Sequence, residues 1–580
     1  MALNAGGCVL LRILWRSVLL AAALWCGVHS ARGQSATSAP CHDSDVVLRG
    51  GKIVTMDSAR RTVSALAVRE GRIQLAGSDS EIAACITPRT QVVELHGQTV
   101  LPGLIDVHTH ALEWASNLLR NEIDPGYPKV HSIAEIVKAV GQKAAGSARG
   151  KWLRGAGWDD PKLAEHRYIT RGDLDPVSPD EPVWLVHVSG HLGVANSAAL
   201  KLAGITRDTP NPSGGIIEKD ASGEPTGILK DNAMALLARV LPADAPDLRV
   251  RAAKLASEKA LEAGLTTIHD SAQTAESMRA YQTAHGRGWL KVRVLMSPLV
   301  DSVADAERLS RSGVYTGFGD DHLRLGAAKF FADGGMGART IAIYPPAVQG
   351  EPDNFGLLIW KKEDLQKAYH SLASAGWQIT THAIGDRAID EVLDAYQAVT
   401  EEIGLKEPRF RIVHCGLSTP AIQKRLRELH VLVDGDPSFV YWIGSWFHKY
   451  GAERERWSYP GKSYSDNGII AGLGSDVPVT PISPWWGIWA AVERRELISG
   501  EVLAPEERVS VLQALEMATR NGAYIGFEEQ RKGSLEQGKL ADFIVIDRDI
   551  LSVPHEQLKD IQVLKTFVGG NLVYERGVAH

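Results

Sequence analysis

Between Val100 and Leu112 the chain reads VLPGLIDVHTHAL, an apolar run that ends in His108-Thr109-His110. A strand projects alternate residues to the same side, so two histidines separated by one residue form a pincer of imidazoles. Such a pincer beside Leu104, Ile105 and Val107 suits a divalent metal. Four further residues of ligand type, Lys329, His382, His414 and Asp476, sit in or just after other apolar segments. A single strand-end histidine is an ordinary hydrogen-bonded core residue. The recurrence of such residues at one strand end after another points instead to a shared site.

The segments that must position them alternate strand-like and helix-like patterns, as an α/β barrel does. The predicted strands are Val100–Val107, Leu265–Asp270, Val292–Met296, Leu323–Phe331, Gln378–Thr381, Phe410–Val413, Val431–Val433 and Ile470–Leu473. That makes eight, the number a closed (β/α)8 barrel needs. Ile389, Val392, Leu393, Tyr396 and Val399 follow helical spacing between two of them. In such barrels the carboxyl ends of the strands converge, which would gather residues far apart in sequence. Some 150 residues separate the first two strands, far too many for one βα connection, so an inserted subdomain at about 112–250 is expected over the mouth. It carries its own apolar strand, Val183–Val188.

Both ends of the chain read as short strands and tight turns. Val46–Leu48 and Ile53–Met56 flank Gly50-Gly51, Ala65–Val68 and Ile73–Ala76 flank Glu70-Gly71, and Thr566–Val568 and Leu572–Tyr574 flank Gly569-Gly570; each pair predicts a hairpin. One β-sandwich assembled from residues 34–99 and 527–580 is expected, around a barrel at 100–526. Ahead of these, Arg12 and Arg16 precede the apolar stretch Val18–Val28 and the small residues near Ala31-Arg32-Gly33. That is the pattern of a cleavable secretory leader over residues 1–33, too short to span a bilayer, and it predicts a periplasmic or secreted protein without a stable membrane anchor. An oxidising compartment permits a Cys41–Cys85 disulfide, and Cys415 reads as a small buried apolar residue. A net charge of -6 without a long basic run argues against a nucleic-acid partner.

The segments PGLIDVHTH (102–110), GWDD (157–160), DLDPVSPDEPV (173–183), GHLGVANSAAL (190–200), GLTTIHD (264–270), KFFADGG (329–335), THAIGDRAID (381–390), RIVHC (411–415) and GSDVP (474–478) resemble the amidohydrolase superfamily. The resemblance is to its amidohydrolase-3 group, which includes N-substituted formamide deformylases, and it runs from about residue 45 to 575. It implies a metal-bearing barrel with a composite β-sandwich. By the same resemblance, His108, His110 and Asp476 would hold one metal and His382 and His414 a second. Lys329 would bridge them as a carbamate; the alternative is a lysine paired with Asp333. The chain departs from the commoner pattern at Lys230-Asp231 and at Asp436-Pro437, near the expected pocket.

The reaction implied is hydrolysis of a carbon–nitrogen bond, of the N-acyl or N-formyl amine type, by metal-activated hydroxide on a small-molecule substrate. Asp476 would act as general base and then general acid. His191 would donate a hydrogen bond to the substrate carbonyl, with Arg339 as a second recognition residue. One or two divalent ions are expected, zinc suiting the ligands best, with manganese, iron and cobalt also acceptable. A cyclic amidase, a deaminase or an esterase would use the same ligands, and a non-catalytic binding barrel would be expected to have lost some of them. No G-x-S-x-G elbow precedes a helix, so no serine nucleophile is indicated. Several tryptophans (Trp158, Trp184, Trp442, Trp446, Trp485, Trp486 and Trp489) cluster near strand ends without an assigned role, and a homo-oligomer is compatible with the sequence.

Overall fold

In the computed structural model, residues 41–120, 123–245 and 247–578 are described. The expected leader over residues 1–33 lies outside them. Two arcs of parallel strands form the centre of an α/β structure. One arc runs in the order Leu323–Leu325, Arg293–Pro298, Leu265–Gln273, Leu104–Thr109. The other runs Ala328–Phe331, Ile379–Ala383, Arg411–His414, Leu432–Gly435, Ala471–Leu473. These match the strands expected from sequence, with one of them interrupted at Gly326-Ala327. Hydrogen bonds join the ends of the arcs. Asp476 N–H donates to His108 O at 2.8 Å, His110 N–H to Val477 O at 3.0 Å, and Val300 N–H to Lys329 O at 2.9 Å.

The strands are apolar on both faces because helices cover the outside. The helix Asp386–Ile403 buries Ile389, Val392, Leu393, Tyr396 and Val399, the face its spacing predicted. The segment Val100–Val107 is not one strand, however. It breaks at Gly103, and Thr99–Pro102 joins a six-stranded sheet while Leu104–Thr109 joins the central arc. Gly103 permits the change of sheet, since a Cβ there would lie 2.1 Å from Thr266 Oγ1.

That six-stranded sheet takes Lys52–Val54, Thr62–Val63 and Thr99–Pro102 from one end of the chain and Phe543–Ile546, Val563–Val568 and Asn571–Glu575 from the other. Leu48, Leu66 and Val68 of a neighbouring four-stranded sheet share one apolar cluster with Phe543, Val545 and Phe567. The hairpins Ala65–Arg69/Arg72–Gly77 and Val563–Val568/Asn571–Glu575 are present as expected. The strands flanking Gly50-Gly51 do not form one. Val46–Arg49 pairs with Ala65–Arg69 and Gln91–Glu94, whereas Lys52–Val54 pairs with Thr62–Val63 and Thr99–Pro102. The turn carries the chain between sheets. Cys41 and Cys85 are joined by a disulfide, with Cα atoms 5.0 Å apart.

The insertion contains a five-stranded sheet, Gly215–Lys219, Pro225–Asp231, Leu192–Ala195, Val183–His187, Leu153–Trp158, with its own apolar core around Ile136, Leu185 and Val194. No helix among the described residues is long and apolar enough to cross a membrane.

Candidate metal centre

At the carboxyl ends of the central strands a cleft of about 1740 Å³ opens, lined at its depth by His110, His191, His382, His414, Asp476 and Phe331. The insertion supplies one wall through Gly155–Gly157 and Trp184–His191, except Leu185. His108 and Lys329 lie behind this surface, buried. The imidazoles form a continuous series. Ring centroids of His110 and His108 are 5.2 Å apart, those of His108 and His414 5.2 Å, of His414 and His382 4.7 Å, and of His382 and His191 4.8 Å. Thus all six residues expected to hold metal come together, with His191 at the edge.

Three of the ligand-type imidazoles are aimed by neighbours, and the backbone that carries the others is pinned. Asp270 accepts the N–H groups of Ala111 and Leu112 at the start of the helix Ala111–Arg120, fixing the turn that carries His110. Asp106 accepts N–H bonds from His108 and Ser475, both at 3.1 Å, tying the first strand to the loop of Asp476. His108 Nδ1 lies 2.9 Å from Ser271 Oγ and His414 Nδ1 2.6 Å from Asp436 Oδ2. These partners leave Nε2 as the free ring nitrogen of both. His382 presents Nε2 to Gly334 O at 3.1 Å, which leaves its Nδ1. Gly474 must be glycine, because a Cβ would come within 2.7 Å of Asp436 Oδ1. His414 and Asp476 occupy the left-handed region with φ of 68° and 50°, a conformation retained only where the surroundings impose it.

The electrostatics suit a cation. His108 Nε2, Lys329 Nζ and Asp476 Oδ1 are buried with no hydrogen-bond partner. One ligand atom each from His108, His414 and Asp476 lies within 4.8 Å of the others, and Asp476 Oδ1 is 3.4 Å from His110 Nε2. Burial holds His108, His382 and His414 well below the ordinary histidine value and pushes His110 down to about 3, so the imidazoles are uncharged, the form that binds metal. Burial likewise pushes Asp476 up to about 8 and Lys329 down to about 8, the latter held up in part by Asp476, Asp434 and Asp436. Orphaned buried donors and acceptors of this kind cost several kcal/mol unless something binds them. A divalent metal satisfies the lone pairs of His108 Nε2 and Asp476 Oδ1, though not the Lys329 amine.

Lys329 does not pair with Asp333. Its Nζ lies 4.8 Å over the Phe331 ring, and the Asp333 carboxylate instead accepts N–H bonds from Ala342, Ile384 and Gly385. Arg339 is not among the residues lining the cleft; its guanidinium meets Glu351 at 2.8 Å and Asp160 at 3.8 Å and lies over Tyr168. Of the tryptophans, Trp184 and Trp442 line the cleft, while Trp485 and Trp489 are core residues. Sequence reasoning missed Asp106, Ser271 and the part played by Asp436. Asp106 alone carried a cue, lying two residues before His108 on the same strand face.

The model of the amidohydrolase family matches residues 91–574. The chain is 31% identical to an N-substituted formamide deformylase of Arthrobacter pascens over 92% of its own length and 98% of the relative's. It is 32% identical to the protein LONG AFTER FAR-RED 3 of Arabidopsis thaliana, over 92% of each chain. Among solved structures, an uncharacterized metal-dependent hydrolase from Pyrococcus furiosus superimposes with a TM-score of 0.67 at 27% identity, covering 87% of this chain and 100% of that one.

Proposed function

Because this chain belongs to the amidohydrolase family, we propose that its metal-dependent hydrolysis of carbon–nitrogen bonds is directed at N-acyl or N-formyl amines. The carrying observation is the buried cluster of His108, His414 and Asp476 with unpartnered ligand atoms at the floor of the cleft. The similarity to a formamide deformylase over nearly the whole chain supports the amide class. His108, His110 and Asp476 would hold one ion and His382 and His414 another, with zinc the natural choice for imidazole and carboxylate ligands. A bound divalent ion polarises a carbonyl and lowers the proton affinity of a water molecule. Asp476 takes the proton of the attacking water and returns it to the departing nitrogen, while His191 contacts the substrate at the cleft edge.

Lys329 is read as the carbamate: its neutral amine adds CO2 and releases a proton, giving an anion in place of a buried cation. The burial of Nζ without a partner supports this. The two strand arcs are read as one (β/α)8 barrel, supported by the hydrogen bonds between their ends, and the two terminal sheets as a composite β-sandwich. The Cys41–Cys85 bridge supports export to an oxidising compartment. A hydrolysis screen of N-acyl and N-formyl amines with purified, metal-quantified protein tests the reading. Metal-loaded protein should turn over members of the set, and His110→Ala should lose metal and at least ~100-fold of the rate. Equal turnover by metal-stripped protein overturns it.

A further inference from the structure

We propose that His191 accepts the N–H of the scissile amide and that Asp231 holds the imidazole in the form able to do so, which makes the site selective for secondary amides. This rests on the carbon–nitrogen hydrolase reading above and specifies its substrate class. His191 Nδ1 lies 2.8 Å from Asp231 Oδ1, and Asp231 N–H donates to His191 O, also at 2.8 Å, so the pair is locked through side chain and main chain together. Asp231 is a non-glycine residue with φ of 48°; its side chain is buried, and its second oxygen has no hydrogen-bond partner. The glycines of KFFADGG make the seat. A Cβ on Gly334 would stand 2.7 Å from Asp231 Oδ2, and one on Gly335 2.8 Å from His191 Cγ.

The direction of the hydrogen bond follows. A carboxylate only accepts, so Nδ1 carries the proton, and a neutral imidazole then offers a lone pair at Nε2. That nitrogen has no partner among the described residues, and the ring lines the cleft beside His382. A lone pair there meets an N–H favourably and a carbonyl oxygen unfavourably, the opposite sense to a donor role toward the carbonyl. A secondary amide supplies the N–H. An ester of the same shape places an oxygen lone pair at the same point, and an N,N-disubstituted amide places carbon there.

The test compares kcat/KM for an N-alkyl formamide and the formate ester of the same alkyl group at one fixed pH. It uses holoenzyme of measured metal content. The greater intrinsic reactivity of the ester cancels when the amide-to-ester ratio is compared between variants. That ratio should fall at least ~10-fold in His191→Phe. It should fall ~3-fold in Asp231→Asn, whose amide can donate as well as accept, and Asp231→Glu should restore it. A ratio unchanged within ~2-fold in folded, metal-replete His191→Phe overturns the inference alone. Should that variant fail to fold, an unchanged ratio in Asp231→Asn overturns it. Absence of any amide turnover by metal-loaded wild type overturns the parent reading and this inference together.

Discussion

Two buried clusters in this protein combine histidine with aspartate, and they are built to opposite ends. At the cleft floor, His108, His414 and Asp476 converge, with His108 Nε2, Asp476 Oδ1 and the neighbouring Lys329 Nζ without hydrogen-bond partners. In the inserted subdomain, Asp159, Asp160 and His187 converge just as closely. There Asp159 already has a counter-charge in Lys162, although Asp159 Oδ2 and His187 Nε2 also lack hydrogen-bond partners. Lys162 Nζ sits 2.9 Å from Asp159, Trp446 donates Nε1–H to Asp159 at 3.1 Å, Arg339 approaches Asp160 at 3.8 Å, and Ser189 N–H donates to His187 Nδ1 at 3.1 Å. With Nδ1 accepting, a neutral His187 carries its proton on Nε2, facing both carboxylates at 3.4 and 3.7 Å. Neither proximity of ligand-type residues nor a buried ring nitrogen without a partner therefore distinguishes a metal centre from an internal ion-pair network; the ion pair of Lys162 with Asp159, which has no counterpart at Lys329 among the described residues, does. The second cluster contains its own counter-cation in Lys162.

That contrast can be broken experimentally. The largest effect is expected at Lys329→Ala, which should lose at least one metal equivalent and ~100- to 1000-fold in kcat/KM; full metal occupancy and rate would remove the bridging carbamate from the scheme. Asp159→Asn should behave in the opposite way, leaving metal content unchanged while costing about 3 kcal/mol of folding stability, because Lys162 is left buried without its counter-charge. Loss of metal in that variant would show that the second cluster also takes an ion. A smaller effect is expected in acid. Burial raises Asp159, but Lys162 and His187 outweigh it and hold the carboxyl down at about 2. Its folded value lies below its unfolded one, so its contribution of about 2 kcal/mol is complete above about pH 4 and drains as pH falls toward about 2. Denaturant unfolding of wild type minus Asp159→Asn across that window should show the slope, and a flat difference would contradict it. The smallest change is expected at Arg339→Lys, about 1 kcal/mol or less of stability with kcat/KM unaltered, since the guanidinium is held by Glu351 and Asp160 outside the cleft lining.

Much of the central architecture was legible because its signals are local. A parallel strand covered on both faces writes itself as an apolar run, and a ligand at its carboxyl end interrupts that run visibly, as at His108, His382 and His414. The hairpins at Glu70-Gly71 and Gly569-Gly570 were legible for the same reason. The Gly50-Gly51 turn was misleading because two glycines between apolar runs also permit a crossing from one sheet to another, and local sequence does not distinguish the two outcomes. Val100–Val107 misled because both halves are apolar, though they serve different sheets.

The sequence by itself determined the set of ligand-type residues, the strands that carry them and the chemistry those residue types favour, since strand alternation and helix periodicity are properties of neighbouring residues. Only the tertiary structure decided which groups are left without partners. Asp333 is occupied by backbone N–H groups from the 342–385 region, so Lys329 has no counter-ion there. Asp436, just past the strand Leu432–Gly435, and Ser271, in the strand Leu265–Gln273, orient His414 and His108, and Asp231 orients His191 across 40 positions. Whether a buried polar atom is satisfied depends on what long-range folding brings within about 3 Å of it, and no periodicity in the chain encodes that distance.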